Sequence, residues 1–333
     1  MTTMMRRLIA VSAAALLLGA APAEAKTRGN WNLPQQEAVA DAGVLPRLSD
    51  GRFHGERPIT GAQLANALTV ITGEPVASST AAKLSVIAFD ARLVSALGLD
   101  DVAAHVQRTA REAGLNPPRH FGTEVVARFI GLRTNHPFAD DALELYPWEP
   151  ITRAEAAHSL QTLLDRGEWA AQHAREQLST FSLPRYGGAT RRALRVAVSK
   201  IGMPYIWGGE TDRKSSYYGY QAHGGYDCSG FVWRVFKLSG HASGKRIGGR
   251  TAAQMAGEIR RSRRVRLDAV RPGDLVFFGR ANFNSKATEA GVDHVGIALS
   301  DTWMIHASGQ GVYVSSLGEE WRRDRFTWAR RVL

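Results

Sequence analysis

The sequence predicts a helical N-terminal region followed by an α+β domain in which a helix accompanies an antiparallel sheet. Residues 26–178 are rich in Ala and Leu and contain no strand-like block, which favours helices. After about residue 190 the chain is rich in glycine and has short apolar runs separated by turns, which favours strands. A chain of 333 residues also exceeds the usual size of a single core, so we expect more than one domain.

The first 25 residues have the pattern of a secretory signal peptide. Arg6 and Arg7 precede an apolar stretch over residues 8–20, and Ala23-Glu24-Ala25 fits a cleavage site. The apolar stretch is shorter than the roughly 20 residues that a membrane-spanning helix requires. We therefore expect cleavage after Ala25, no transmembrane segment, and a soluble mature protein outside the cytoplasm.

The chain is strongly basic, with a net charge of +11. For an exported protein, anionic wall polymers and lipid head groups are more accessible partners than nucleic acid, so no nucleic-acid partner is expected. The densest basic run covers residues 260–266, where five of the seven residues are Arg. A wall-binding patch and a solvated basic loop remain equal interpretations of this run.

A nine-residue phrase occurs twice in the helical region. Residues 57–65 read R-P-I-T-G-A-Q-L-A, and residues 149–157 read E-P-I-T-R-A-E-A-A. In both copies a Thr is followed three residues later by Gln63 or Glu155, the capping-box pattern that begins a helix. The recurrence predicts an all-α repeat domain over residues 26–178.

These copies resemble the S-layer homology module, whose helix–loop–helix units bind pyruvylated secondary wall polymers. The second copy matches the T-R-A-E signature at Thr152-Arg153-Ala154-Glu155, whereas the first has Gly61-Ala62-Gln63 in place of R-A-E. A middle unit has room over residues 84–116, which lack the phrase. The resemblance implies an anionic wall polymer as a partner, and a helical spacer packed against the next domain is the alternative.

A linker is predicted over residues 179–190, which combine turn-forming residues with no periodicity. The second domain is then expected over residues 191–333, beginning with a helix at about 191–201. Its strand-like runs cover residues 275–278, 295–299, 303–307 and 312–314. Because short turns separate the last three runs, we expect an antiparallel meander.

The chain contains one cysteine, Cys228. In an oxidising compartment a single cysteine cannot form an internal disulfide, so it is either a buried filler or a reactive thiol. Asp227 is a predicted N-cap for a helix from Cys228 to about Leu238, which Gly240 can end. The positive end of that helix favours a thiolate, so we expect the pKa of the thiol to be lowered.

Among the ten histidines, His294 and His306 lie on consecutive strand-like runs. The midpoint between them falls within the turn at residues 300–302, so the two imidazoles should lie close together on adjacent antiparallel strands. A thiol at a helix start, one histidine as base and a second to orient it predict Cys-His-His catalysis. Taken singly, each histidine is better explained as a half-buried strand residue bonded to backbone, whereas the two histidines together with the single cysteine favour catalysis.

Five motifs in this half of the chain resemble those of the NlpC/P60 cysteine peptidases, which are papain-like hydrolases of the bacterial cell wall. In chain order they are Pro204-Tyr205-Ile206-Trp207-Gly208-Gly209, Asp227-Cys228-Ser229-Gly230-Phe231, Pro272-Gly273-Asp274-Leu275-Val276-Phe277-Phe278, Asp293-His294-Val295-Gly296-Ile297 and Ile305-His306-Ala307. The resemblance covers about residues 190–333 and implies a papain-like α+β catalytic domain. It implies Cys228 as nucleophile, His294 as base and His306 as the orienting residue.

The same resemblance implies roles for residues that flank the nucleophile. The Tyr205 hydroxyl is expected to stabilise an oxyanion together with the Cys228 backbone N–H. Asp227 and Ser229 are expected to bind amine and carboxylate groups of a peptide, with helix capping as their alternative role. Packing in the core is the alternative role of Tyr205, and it is the expected role of Trp207.

The resemblance implies a secreted, cell-wall-associated peptidoglycan endopeptidase of a bacterium, which hydrolyses the γ-D-glutamyl–diamino acid bond of stem peptides. The sequence has no H-E-x-x-H motif and no C-x-x-C pair, so no metal or cofactor is expected. Two alternatives remain open: an amidase or acyltransferase on the same three residues, and a wall-binding protein whose site is inactive or covered. Residues 210–226 are longer than the corresponding link in the family. They are expected either at the rim of the cleft or as a disordered loop.

Overall fold

The computed structural model describes residues 25–216 and 219–333. The predicted signal peptide therefore lies outside the described residues, except for Ala25. Within the described part of the chain, no helix has both the length and the apolar character to cross a membrane.

All regular elements in the described residues 25–178 are helices. The α-helices are α1 (Leu33–Asp41), α2 (Gly61–Thr72), α3 (Val86–Ala96), α4 (Asp100–Glu112), α5 (Phe121–Phe129) and α6 (Arg153–Leu178), and a 3₁₀ helix covers Phe138–Leu143. Helix α6 is interrupted at Arg166, where the backbone leaves the helical region with φ −155°. Whether these helices form repeated units stays a prediction.

The two copies of the recurring phrase lie side by side. The backbone N–H of Ile59 donates to the carbonyl of Ile151 at 3.1 Å. Ser85, the N-cap of α3, also forms an isolated bridge to Pro150 in the second copy. The beginnings of α2, α3 and α6 therefore meet at the centre of the helical region.

The capping boxes predicted for the two copies differ in the structure. At the start of α2, Thr60 and Gln63 form the reciprocal pair as predicted. At the start of α6, Thr152 accepts from the Glu155 backbone N–H. The Glu155 side chain, however, bonds to His136 at 2.9 Å rather than returning to the N-cap. The prediction of a second capping box is therefore wrong for its Glu155 half, because the carboxylate bonds to the buried His136 instead of the N-cap backbone.

The remaining described residues combine helices with a five-stranded antiparallel sheet. The α-helices are α7 (Gly188–Val198), α8 (Cys228–Trp233), which continues as a π-helical turn over Arg234–Leu238, α9 (Ala252–Gly257) and α10 (Glu320–Arg325). Short 3₁₀ helices cover Ala242–Arg246, Arg261–Arg263 and Leu267–Ala269. The small strands are β1 (Glu210–Thr211), β2 (Ser215–Ser216), β3 (Gly219–Tyr220) and β4 (Gly225–Tyr226). The sheet strands are β5 (Leu275–Gly279), β6 (Val292–Ala298), β7 (Trp303–Ser308), β8 (Gly311–Ser316) and β9 (Phe326–Arg330), in the order β8-β7-β6-β5-β9.

Helix α8 packs on one face of this sheet. Its Phe231 and Val232 are fully buried together with Phe277 and Val295 from the two central strands. Alternate residues of the same strands point to the other face, where a smaller apolar cluster includes Val276. The helix that begins with the single cysteine is therefore fixed against the middle of the sheet.

The segment predicted as a linker is packed rather than extended into solvent. Phe181 is 1% exposed, and its ring lies 5.2 Å from that of Trp303. The Tyr186 hydroxyl donates to the carbonyl of Leu299 at 2.7 Å. These aromatic contacts hold residues 179–190 against the sheet, and α7 begins within them at Gly188.

A buried arginine joins the helical region to the sheet domain. Arg128 on α5 pairs with Glu124, which is fully buried, at 3.1 Å. The same guanidinium donates to the carbonyl of Gly202 at 3.0 Å and to that of Gln310 in the turn between β7 and β8. Arg128 therefore connects helix α5 to two segments of the second domain.

Removal of this arginine should destabilise the protein strongly. We expect Arg128→Met to lower the free energy of unfolding by about 3–5 kcal/mol, because Glu124 is left buried without its partner. The double variant Arg128→Met/Glu124→Leu should recover part of this loss. As a control, Arg111→Met on the exposed side of α4 should change the free energy of unfolding by less than about 0.5 kcal/mol. Urea unfolding followed by tryptophan fluorescence measures all three variants, and a single variant as stable as the wild type would contradict the prediction.

Candidate active site

Cys228 is the first residue of α8 and is 8% exposed. As predicted, Asp227 caps this helix by accepting from the Gly230 backbone N–H. The backbone N–H groups of Val295 and Ser229 interact with the thiol. Because Val295 follows His294 on β6, the sulfur lies beside the strand that carries the predicted base.

The structure brings His294 and His306 into contact. The Nε2 atom of His294 lies 2.8 Å from Nδ1 of His306. Strands β6 and β7 pair Ile297 with Ile305, so the same register places His306 across from Gly296, two positions from His294. A Cβ built on Gly296 would lie 3.2 Å from the His306 Cβ, so glycine gives the His306 side chain room at this crossing.

The contact between the histidines continues into a line of hydrogen bonds. His306 Nε2 lies 2.7 Å from the hydroxyl of Ser315 on β8. That hydroxyl accepts from the buried Arg322 of α10 at 2.8 Å. Sequence reasoning missed both residues. The only signal would have been the register of β8 against β7, which places Ser315 two positions beyond Tyr313, the partner of His306.

The pKa values of this site are set mainly by burial. Burial raises the pKa of the Cys228 thiol to about 12, and the charge of Asp227 adds to that effect. The expectation of a lowered thiol pKa is therefore wrong, because burial and the adjacent carboxylate outweigh the end of a helix only six residues long. Burial, followed by the charges of Arg322 and Arg325, lowers the pKa of His294 to about 3.

Burial also lowers the pKa of His306, with smaller effects from His294 and Arg322. A pKa below the neutral range means that each imidazole is uncharged at neutral pH, and a raised thiol pKa means that Cys228 keeps its proton. At neutral pH the site therefore combines a protonated thiol with two uncharged imidazoles. Since Nε2 of His294 contacts His306, Nδ1 is the ring nitrogen that this contact leaves unused.

The backbone of Tyr205 pairs with the segment that leads into Cys228, the predicted nucleophile. It forms an isolated bridge with Tyr226, which ends β4 just before Asp227 and Cys228. Burial raises the pKa of its hydroxyl, with a smaller effect from the charge of Cys228. The hydroxyl is therefore protonated and able to donate a hydrogen bond near the sulfur.

The helical region holds the Tyr205 segment in place. Asn135 donates from its side-chain amide to the Tyr205 carbonyl at 2.6 Å and accepts from the Tyr205 backbone N–H at 3.3 Å. The carboxylate of Asp141 accepts from the backbone N–H of Trp207 at 2.8 Å. Trp207 itself is 66% exposed, so its expected place in the core is wrong. Sequence reasoning missed Asn135 and Asp141, which have no motif to distinguish them.

Asp227 and Ser229 belong to a network around Arg250. The Arg250 guanidinium donates to Asp227 Oδ1 at 3.0 Å and to the Ser229 hydroxyl at 2.8 Å. It also bonds to the buried Glu210 at 3.2 Å. The structure thus gives Asp227 a capping and ion-pairing role, while its contact with a peptide amine stays a prediction. Arg250 carries no sequence signal and was missed.

The inserted residues 210–226 form two nested hairpins in their described part. Strand β1 pairs with β4, and β2 pairs with β3 inside them. His223 is buried within the loop, and its ring lies 4.1 Å from that of Tyr146 in the helical region. The insertion is therefore anchored at its base, next to the segment that carries Cys228.

Comparison with known proteins points to one family for this part of the chain. Residues 202–331 match the sequence model of the NlpC/P60 family. The match supports an NlpC/P60 domain of mixed helix and sheet in these residues.

Three curated relatives align with the same part of the chain. The probable peptidoglycan endopeptidase LytE of Bacillus subtilis is 31% identical over 135 residues, which are 40% of this chain and 32% of that protein. The murein DD-endopeptidase MepH of Escherichia coli is 32% identical over 147 residues, which are 44% of this chain and 46% of that protein. A gamma-D-glutamyl-L-lysine dipeptidyl-peptidase of Bacillus subtilis is 26% identical over 134 residues, 40% of this chain and 37% of that protein. The chain thus spans from about a third to just under half of the length of these relatives.

The neutral state of the thiol can be tested directly, because Cys228 is the single cysteine of the chain. Thiolate absorbance near 240 nm, measured as the difference from Cys228→Ala, should stay flat from about pH 5 to about pH 9. The raised thiol pKa places its ionisation above that range. A thiolate signal at neutral pH that disappears in His294→Ala would instead reveal a thiolate–imidazolium pair and contradict the prediction.

Proposed function

We propose that the protein is an exported peptidoglycan hydrolase, a cysteine endopeptidase that acts through Cys228, His294 and His306. The observation that carries the proposal is the 2.8 Å contact between the two histidines beside the strand that meets the Cys228 thiol. The names of LytE, MepH and the dipeptidyl-peptidase support a peptide of the bacterial wall as the substrate.

The reaction begins from a neutral pair. As the sulfur of Cys228 attacks the scissile carbonyl, its proton passes to Nδ1 of His294. The raised pKa of the thiol and the lowered pKa of His294 oppose this transfer, so it accompanies attack rather than preceding it. Once formed, the imidazolium and the negative oxygen of the tetrahedral intermediate attract each other strongly in a site with little water.

The second histidine orients the first. When His294 carries both of its protons, its Nε2–H must donate to Nδ1 of His306. A neutral imidazole with an accepting Nδ1 carries its proton on Nε2, so His306 then donates to the Ser315 hydroxyl. Ser315 accepts from His306 and Arg322 together, and the buried arginine fixes that hydroxyl in place.

The remaining steps follow acyl-transfer chemistry. The Tyr205 hydroxyl and the Cys228 backbone N–H stabilise the negative oxygen of the tetrahedral intermediate. His294 then gives its proton to the leaving amine, and the acyl group remains on Cys228 as a thioester. A water molecule that loses its proton to His294 hydrolyses the thioester and restores the thiol.

The bond that we propose is the amide between the γ-carboxyl of D-glutamate and a diamino acid. The name of the gamma-D-glutamyl-L-lysine dipeptidyl-peptidase supports this choice. The name of MepH favours a second candidate, the bond between two D-centres in a cross-link. An amidase or an acyltransferase on the same three residues differs from both in its products.

The helical region has a proposed supporting role. We propose that it attaches the enzyme to an anionic wall polymer, with a spacer that only packs against the catalytic domain as the alternative. Its contacts through Asn135 and Asp141 to the Tyr205 segment make it part of the site's scaffold in either case. A protein that binds the wall without turnover remains the non-enzymatic alternative.

Mass spectrometry of muropeptides after digestion tests the proposal. Residues 26–333 should release new fragments that end in D-glutamate, and both Cys228→Ala and His294→Ala should reduce their rate by at least about 1000-fold. Cys228→Ser should retain binding of muropeptides while losing turnover.

The fragment masses also separate the alternatives. Fragments cut between two D-centres would favour the cross-link reaction, and loss of the sugar from the peptide would favour an amidase. Undiminished digestion by Cys228→Ala would contradict the mechanism, and the absence of fragments from the wild type would favour the wall-binding alternative.

A further inference from the structure

A strongly basic cavity lies beside β9, the edge strand of the sheet. Its volume is about 630 Å³. Strand β9 pairs Arg330 with Leu275 at the start of β5, whereas Phe278 near the end of β5 pairs with His294. The cavity is therefore at the end of these strands that lies away from His294. Its charged lining consists of five arginines and one carboxylate: Arg246, Arg260, Arg263, Arg330, Arg331 and Glu258.

The carboxylates at this cavity already have arginine partners. Glu258 accepts from the backbone N–H of Gly248 at 2.8 Å and forms an ion pair with Arg330. Asp274, which is 1% exposed, accepts from the Arg331 guanidinium at 3.0 and 2.8 Å. These two carboxylates therefore neutralise Arg330 and Arg331.

The other three arginines have no anionic partner in the described part of the chain. Arg246 donates from Nη1 to the carbonyl of Val332 at 3.0 Å, which orients its guanidinium without neutralising it. Arg260 and Arg263 are exposed, and among the described residues their side chains form no hydrogen bond and no ion pair. Like charges around one cavity repel each other and concentrate a positive potential inside it, which an anion relieves.

The arrangement of the guanidinium groups favours phosphate over carboxylate. Arg246 ends one 3₁₀ helix, Arg260 follows α9, and Arg263 ends a second 3₁₀ helix, so the three reach the cavity from different segments. A carboxylate offers two oxygens in one plane, whereas a phosphate offers oxygens in several directions. Each guanidinium can also donate a pair of parallel hydrogen bonds to a phosphate.

The surroundings of the cavity favour a polymer over a membrane surface. Proteins that bind a membrane surface place apolar side chains beside their basic residues. In the described part of the chain, none of the large apolar side chains that are exposed lines this cavity. A concave and purely charged surface suits a flexible anionic chain.

We propose that this cavity binds a phosphodiester segment of an anionic polymer of the cell envelope, with the phosphate held by Arg246, Arg260 and Arg263. Binding here leaves the His294 end of the sheet open, so polymer and substrate occupy the protein together. The site belongs to the sheet domain and is separate from the attachment proposed for the helical region. It also does not depend on hydrolysis.

Calorimetry with residues 26–333 and purified poly(glycerol phosphate) tests the site. At about 50 mM salt, Arg260→Gln/Arg263→Gln should weaken binding about tenfold or more, because charge-assisted hydrogen bonds are lost. Lys286→Gln/Arg323→Gln removes the same two charges from exposed positions outside the cavity and should weaken binding by less than about threefold. Both double variants should keep the unfolding temperature of the wild type, because all four side chains are exposed.

Two further probes separate phosphate polymers from other anions. Polyglutamate of matched charge should bind more weakly than poly(glycerol phosphate), and vesicles of phosphatidylglycerol should show no loss of binding that is specific to Arg260→Gln/Arg263→Gln. Equal weakening by the two double variants would reveal general charge attraction and overturn the site. Equal affinity for polyglutamate would overturn the phosphate, and binding of the vesicles but not of the polymer would identify a lipid head group instead.

Discussion

Two imidazoles buried without charge and joined by a 2.8 Å contact are the constraint on which the proposed chemistry depends. Burial keeps His294 and His306 neutral at neutral pH, so each has one nitrogen that donates and one that accepts. Their mutual contact leaves Nδ1 of His294 as the nitrogen that we propose accepts the proton of the Cys228 thiol. The sheet creates this arrangement, because both side chains lie on one face of adjacent strands and Gly296 leaves space at the crossing.

The surroundings of the histidines extend this constraint in two directions. On one side, Ser315 and Arg322 complete the hydrogen bonds of His306 inside the sheet domain. On the other side, the helical region holds the backbone of Tyr205 through both polar atoms of the Asn135 side chain. The proposed nucleophile, base and oxyanion donor thus come from three segments that are each fixed by polar contacts. Such support is what precise positioning of reacting groups requires.

Sequence reasoning predicted the parts of the site that local patterns encode. The helix start at Cys228 follows from Asp227, and the proximity of the histidines follows from the short turn between their strands. It missed Asn135, because that residue lies 70 positions from Tyr205 and meets it only through packing of the two regions. The predicted direction of the Cys228 pKa shift was wrong for the same reason, because burial of the thiol depends on packing between segments that are distant in sequence. The sequence predicted the positions of the helix ends only approximately. It did not predict that residues 179–190 pack against the sheet, because that packing depends on aromatic contacts that no local pattern shows.

The protonation state of the two histidines tests the central claim most directly. Nitrogen-15 NMR of the histidine-labelled protein at about pH 7, assigned with His294→Ala and His306→Ala, reports which ring nitrogens carry protons. The account predicts that both rings are neutral and that both carry their proton on Nε2, which leaves Nδ1 of His294 free to accept the Cys228 proton. A proton on Nδ1 of His294, or a charged imidazole in the resting enzyme, would contradict it.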